Sequence, residues 1–269
     1  MEQASSFHGS RWGSAQPGRR DEGLLRLIAL LLAAYVVSLW LGSEGILRSS
    51  VVTTLGLATE AAAVLLCWRA ARFVGYRRLE VTLGACAVTS YWIGDGIYTY
   101  SSVDGAPLMT ASMADVGYVA FAALIFGSLG LVVYRQMRGL VWPVLLDSLV
   151  GTLAAASVIS IVLAPALSAA AVWPVSLESV IAVAYPLLDI VIIALIAGIL
   201  ASRGLDLGRR WPVLLAGLAL FIAFDIAYAL DPGAYAIGSI SDAGWTTGVI
   251  AVALWVDGVA QPSVSRPSG

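Results

Sequence analysis

The sequence has no lysine, one histidine and two cysteines, and only 12% of its 269 residues are charged. Without lysine there can be no Schiff base and no lysine nucleophile. The histidine, His8, sits in a polar N-terminal stretch, so a haem, copper or zinc site built on imidazole is not expected. Cys67 and Cys86 both fall in apolar runs and read as small buried residues, not as a disulfide or a zinc site. No Walker A string, dinucleotide glycine pattern or H-E-x-x-H occurs, and no G-x-S-x-G. No polar region is long enough to fold as a soluble domain. The first apolar run follows a long polar stretch and lacks a small-residue cleavage site, so no signal peptide is expected.

What is present is apolar: 59% of residues are hydrophobic and the mean hydropathy is +0.89, against about 45–50% apolar residues in a soluble domain. These residues come in runs near the length of about 20 that spans a bilayer. The expected fold is an all-α integral membrane protein with eight transmembrane helices, over about 24–42, 51–68, 79–100, 115–134, 144–164, 178–201, 211–230 and 242–259. Pro165 and Pro174 are expected to separate the fifth and sixth. Residues 1–22 read as a disordered cytoplasmic tail, 23–260 as the transmembrane domain and 261–269 as a second cytoplasmic tail.

The arginines predict the orientation. Arg26, Arg69, Arg72, Arg77, Arg78, Arg135, Arg138, Arg203, Arg209 and Arg210 flank loops of one parity, and Arg48 alone falls on the other. The positive-inside rule then puts both termini in the cytoplasm. Trp142, Trp173 and Trp211 stand near span ends, where interfacial belts are expected. Ala123 with Gly127, and Gly151 with Ala155, have the small-residue spacing that lets helices approach.

Two stretches stand out: Tyr91, Asp95 and Tyr98 in the third span, and Phe221, Asp225 and Tyr228 in the seventh. Both follow i, i+4, i+7, which places all three residues on one helix face. Asp115-Val116-Gly117-Tyr118 likewise resembles Asp242-Ala243-Gly244-Trp245, and Glu60 and Asp189 are deep acids in the second and sixth spans. The expectation is a 4+4 internal duplication, repeats about 24–140 and 144–260, with the two acid stripes facing each other.

An acid in a membrane segment is a functional candidate because burying its charge is costly. On the predicted topology Asp95, Asp225, Asp115 and Asp242 lie in the outer layer and Glu60 and Asp189 deeper. The repeated acids each have an aromatic three residues on: Tyr98, Tyr118, Tyr228 and Trp245; Tyr185 precedes Asp189 by one turn. Candidate ligand-binding residues are therefore Asp95, Tyr98, Asp225, Tyr228, Glu60, Asp189, Tyr91, Tyr185, Asp115 and Asp242. They would take up a metal ion through carboxylates or an organic amine through a carboxylate and aromatic faces. The structural alternative has tyrosine hydroxyls satisfying the carboxylates, with Asp115 and Asp242 as helix caps, Ser241 supporting the latter.

Leu145-Leu146-Asp147, Tyr185-Pro186-Leu187-Leu188-Asp189, Asp225-Ile226-Ala227-Tyr228 and Asp242-Ala243-Gly244-Trp245 resemble the multi-pass N-terminal membrane region of bacterial GGDEF and GGDEF/EAL signalling proteins. The resemblance covers about residues 24–260 and implies a sensory membrane region. No Gly-Gly-Asp-Glu-Phe string follows the last span, so the cyclic di-GMP chemistry of that family is not carried over. Ile93-Gly94-Asp95-Gly96 with Phe224-Asp225 only loosely resembles the motifs of intramembrane aspartyl proteases. The expected function is a non-enzymatic sensor or receptor module without a cofactor. Its expected partners are the lipid bilayer, a small cationic ligand and a cytoplasmic signalling protein, not nucleic acid. A small-solute transporter and a membrane protein without ligand are the alternatives.

Overall fold

A computed structural model describes residues 21–40, 46–75, 77–103, 112–137, 142–170, 177–203, 210–231, 235 and 237–261. Residues 1–20 and 262–269 of the expected tails, Glu44 and Asp104 lie outside the described residues, as do the side chains of Arg48, Asp147, Glu178 and Pro186; Glu22, expected in the first tail, opens α1 instead. Eight helices are described: α1 Glu22–Trp40, α2 Ile46–Phe73, α3 Arg78–Val103, α4 Met113–Met137, α5 Trp142–Ala170, α6 Leu177–Arg203, α7 Arg210–Leu230 and α8 Ile240–Ala260. Among the described residues there is no strand.

Among the described residues five helices are long and apolar enough to cross a membrane, in α1, α2, α4, α7 and α8. In α3 the run of Ser, Thr, Tyr and Gly around Asp95 dilutes the apolar residues. In α5 and α6 the apolar pieces Leu149–Val162 and Val183–Ile192 are shorter. The outer surface supports a lipid environment. On α1 only Ile28 and Tyr35 are buried, and Leu30, Val116 and Ile161 are among many large apolar side chains left exposed. Such a surface is stable against acyl chains and not against water.

The helices meet the expected spans within a few residues, with two differences. α2 extends further at both ends, because Arg69-Ala70-Ala71-Arg72 continues helical beyond the apolar run. Pro165 does not end α5 but lies inside it; a helix with good formers on both sides tolerates the loss of one backbone bond.

α8 is the central helix. Val249, Val252, Trp255, Val256 and Val259 are all buried there, and it packs on α1, α2, α3 and α7. Between helices in lipid there is little hydrophobic driving force, so close backbone approach has to supply the packing. Glycines supply it. A side chain at Gly117 of α4 would come within 2.6 Å of the Ser90 carbonyl and 2.8 Å of the Gly94 Cα of α3. One at Gly244 or Gly248 would run into Phe224 or Phe221 of α7, and one at Gly217 into Ala251 of α8. Ala123 and Gly127, expected at such a seam, are exposed instead. Small-residue spacing is common in an Ala- and Gly-rich chain and does not say which face meets a helix. Trp211 also departs from expectation. It is buried and lies 6.0 Å from the Trp255 ring, so it belongs to the core; Trp142 and Trp173 fall outside the described side chains.

Charge separates along the bundle. At one end Asp21 pairs with Arg69, joining the start of α1 to the end of α2. Glu80 of α3 pairs there with Arg135 of α4 at 3.0 Å. Asp95 of α3, Asp115 of α4, Asp225 of α7 and Asp242 of α8 gather at the opposite end.

Candidate functional site

The stripes of α3 and α7 do meet, but at their aromatic first positions. The rings of Tyr91 and Phe221 are 5.8 Å apart, and Phe121 of α4 completes the cluster at 5.4 Å from Tyr91 and 5.7 Å from Phe221. One turn further along, the two aspartates turn to different partners. Asp95 accepts a hydrogen bond from Tyr118 Oη on α4 at 3.3 Å. Asp225 accepts one from Trp245 Nε1 on α8 at 2.7 Å and lies beside the Asp189 carboxyl of α6. The expected facing pair of Asp95 and Asp225 is thus replaced by two groups of acids. The helix stripe fixed which face each acid occupies, and the neighbouring helix on that face fixed its partner.

Asp115 and Asp242 hold helix starts. Asp115 accepts from the Ser112 backbone N–H at 2.6 Å, and Ser112 Oγ accepts from Ala114 N–H at 3.1 Å. Asp242 accepts from the N–H groups of Gly238 at 2.6 Å and Ser239 at 3.2 Å. The cap residue of α8 is Ser239, and Asp242, expected as the cap itself, stands three residues further on and bonds back to the cap's backbone N–H. Each also receives a phenol: Tyr185 of α6 to Asp115 at 2.6 Å, and Tyr235, between α7 and α8, to Asp242 at 2.7 Å. Burial, and then the Asp242 carboxylate beside it, push the Tyr235 hydroxyl up, so it stays a donor.

A narrow cleft of about 30 Å³ opens beside α8 at the acidic end. Its walls include Tyr35 of α1, Gly56 of α2, Tyr91, Asp95 and Tyr98 of α3, and Asp242, Trp245 and Thr246 of α8. No arginine lines it among the described residues. Beneath it Glu60, only 1% exposed, accepts from Thr246 Oγ1 at 3.0 Å through Oε1, while its Oε2 has no hydrogen-bond partner among the described residues. Tyr228, Tyr235 and Trp245 pack ring to ring at the mouth, with centroids 5.5 to 6.1 Å apart.

Of the candidate residues, Tyr91, Asp95, Tyr98 and Asp242 line the cleft and Glu60 underlies it. Asp225, Asp189, Asp115 and Tyr185 form the second group on α4, α6 and α7. Tyr228 reaches the cleft through Tyr235 and through Trp245, which both lines the cleft and binds Asp225 of the second group. Tyr35, Thr246 and Tyr235 were not singled out from the sequence. Tyr35 is the one polar-tipped buried residue of an apolar helix, which is a readable signal; Tyr235 lies in a connection with no periodicity to read. Among the described residues no group of three or more His, Cys, Asp or Glu is arranged to hold a metal ion.

Fold and cleft together define an all-helical protein with several helices fit to cross a membrane and an acid-lined cleft at one end. Neither a family model, nor a curated protein, nor a solved structure matches the chain.

Proposed function

We propose that the chain is a non-enzymatic sensor or receptor module that binds a small cation or amine in this cleft. Lack of a countercharge carries the reading. Asp95 and Asp242 line the cleft and Glu60 underlies it, with no arginine on its walls among the described residues. A cation would offset that charge, and the faces of Tyr35, Tyr91 and Trp245 would contribute attraction. The size limits the ligand. Drug-sized sites are about 300–1,000 Å³, so only an ion or the head of an amine enters here.

The wider architecture belongs to the same proposal. All eight helices span a bacterial cytoplasmic membrane, with the arginine-rich end and both termini in the cytoplasm and the cleft outside. The halves arose by duplication. Support comes from the contacts Tyr118 to Asp95 and Trp245 to Asp225, which join matched positions, and from the matched caps Asp115 and Asp242. Ligand binding would shift α8, which touches both acid groups through Trp245, and so pass a signal to a cytoplasmic partner. Transport is less favoured because Glu80, an acid at the opposite end, is buried and paired with Arg135.

The test is ligand-dependent stability in lipid nanodiscs. A ligand at a hundredfold its Kd stabilises the folded state by about 2.7 kcal/mol, so methylammonium chloride is expected to raise the melting temperature where equal sodium chloride does not. Curves that neither salt shifts from that of the salt-free protein would remove the cleft as a cation site. A proteoliposome flux assay with the same ion separates sensing, which predicts no uptake, from transport.

A further inference from the structure

We infer that the deep ligand of the cleft is Glu60 and that the cleft selects a small primary amine over a quaternary ammonium. The inference rests on the proposed reading of the cleft as a cation site and names the ligand class.

Glu60 stands in the middle of α2, buried, with one carboxylate oxygen satisfied by Thr246 and the other without a donor among the described residues. An unpaired buried carboxylate oxygen is costly, and a membrane interior offers no bulk water to relieve it. Thr246 is at once the partner of Glu60 and a wall of the cleft. Gly56, one turn from Glu60 along α2, is another wall, and a side chain there would meet the Tyr35 ring at 3.3 Å. The absence of that side chain keeps the floor above Glu60 thin.

The acids of the cleft are unequally satisfied. Asp242 already accepts three hydrogen bonds, two from backbone N–H and one from Tyr235. Asp95 accepts one long bond from Tyr118. Among the described residues Glu60 lacks a donor at one oxygen, and the bond that Asp95 accepts is a long one. A primary ammonium carries three N–H donors, enough for both; a quaternary ammonium carries none. Size gives the same answer. A cleft of 30 Å³ has room for about two water-sized groups, which methylammonium, with two heavy atoms, fills and tetramethylammonium, with five, exceeds.

Equilibrium binding to the full chain in nanodiscs tests this with methylammonium chloride and tetramethylammonium chloride, sodium chloride being the ionic-strength control. Methylammonium is expected to bind saturably and tetramethylammonium at least tenfold more weakly. Glu60→Gln is expected to weaken methylammonium at least tenfold. Equal binding of the two ions, or wild-type affinity in Glu60→Gln, overturns the role of Glu60 while leaving the cleft a cation site. Failure of both ions to bind removes the cleft reading and this inference with it. Should Glu60→Gln not fold, the preference of the unmodified chain between the two ions decides alone.

Discussion

Replacing Gly117 by alanine is expected to destabilise the protein by about 3 kcal/mol, near the top of the range for overpacking a tight core. The added methyl group would stand 2.6 Å from the Ser90 carbonyl oxygen and 2.8 Å from the Gly94 Cα. Those are backbone atoms of α3, which cannot rotate away as a side-chain tip can. Relief requires α3 and α4 to separate along their length. Separation would also pull Tyr118, the next residue, from Asp95. Alanine at Gly130 of α4 meets nothing within 4 Å. It is expected to be neutral or to stabilise by up to about 1 kcal/mol through helix propensity. Thermal unfolding of both variants in the same detergent makes the comparison. Wild-type stability of Gly117→Ala would mean that α3 and α4 do not pack through these glycines.

Asp95→Asn is expected to weaken methylammonium binding by about ten- to a hundredfold. Hydrogen bonds to a charged group contribute about 1.5–3 kcal/mol, and a factor of ten corresponds to about 1.4 kcal/mol. The amide matches the carboxylate in shape and can still accept from Tyr118, so folding should survive. Asp242→Asn provides the contrast. Its carboxylate holds two backbone N–H groups at the start of α8, so the variant should lose about 1 kcal/mol of stability with a smaller loss of affinity. Titration of the folded variants reads the two effects separately. Equal loss of affinity in both would assign the cleft a general electrostatic pull with no particular ligand.

Much of this architecture could be read before any coordinates. Apolar length placed the helices, because about 20 apolar residues are what a bilayer demands. The spacing of Tyr91, Asp95 and Tyr98 put them on one face, and Tyr91 meets Phe221 as that pattern required. The aromatic three residues after Asp115 and the one after Asp242 became the partners of Asp95 and Asp225. What periodicity could not supply was the identity of the facing helix. Asp225 found Asp189 and Trp245 because α6 and α8 lie beside it, and no pattern within α7 contains that fact. Glycine seams failed for the same reason. Gly127 and Gly117 look alike in sequence, yet one is exposed and the other touches a backbone. Tyr235 enters the cleft by tertiary placement alone.

The claim on which the account rests is that the cleft beside α8 is wet, open at the arginine-poor face and closed by a small amine. Thr99 lines the cleft and carries no charge, so cysteine there reports access without removing an acid. In a chain with Cys67→Ala and Cys86→Ala, Thr99→Cys in whole cells should react with a membrane-impermeant maleimide added outside, and methylammonium should slow that reaction. Labelling that requires access from the cytoplasmic side, or a rate indifferent to methylammonium, would contradict the account.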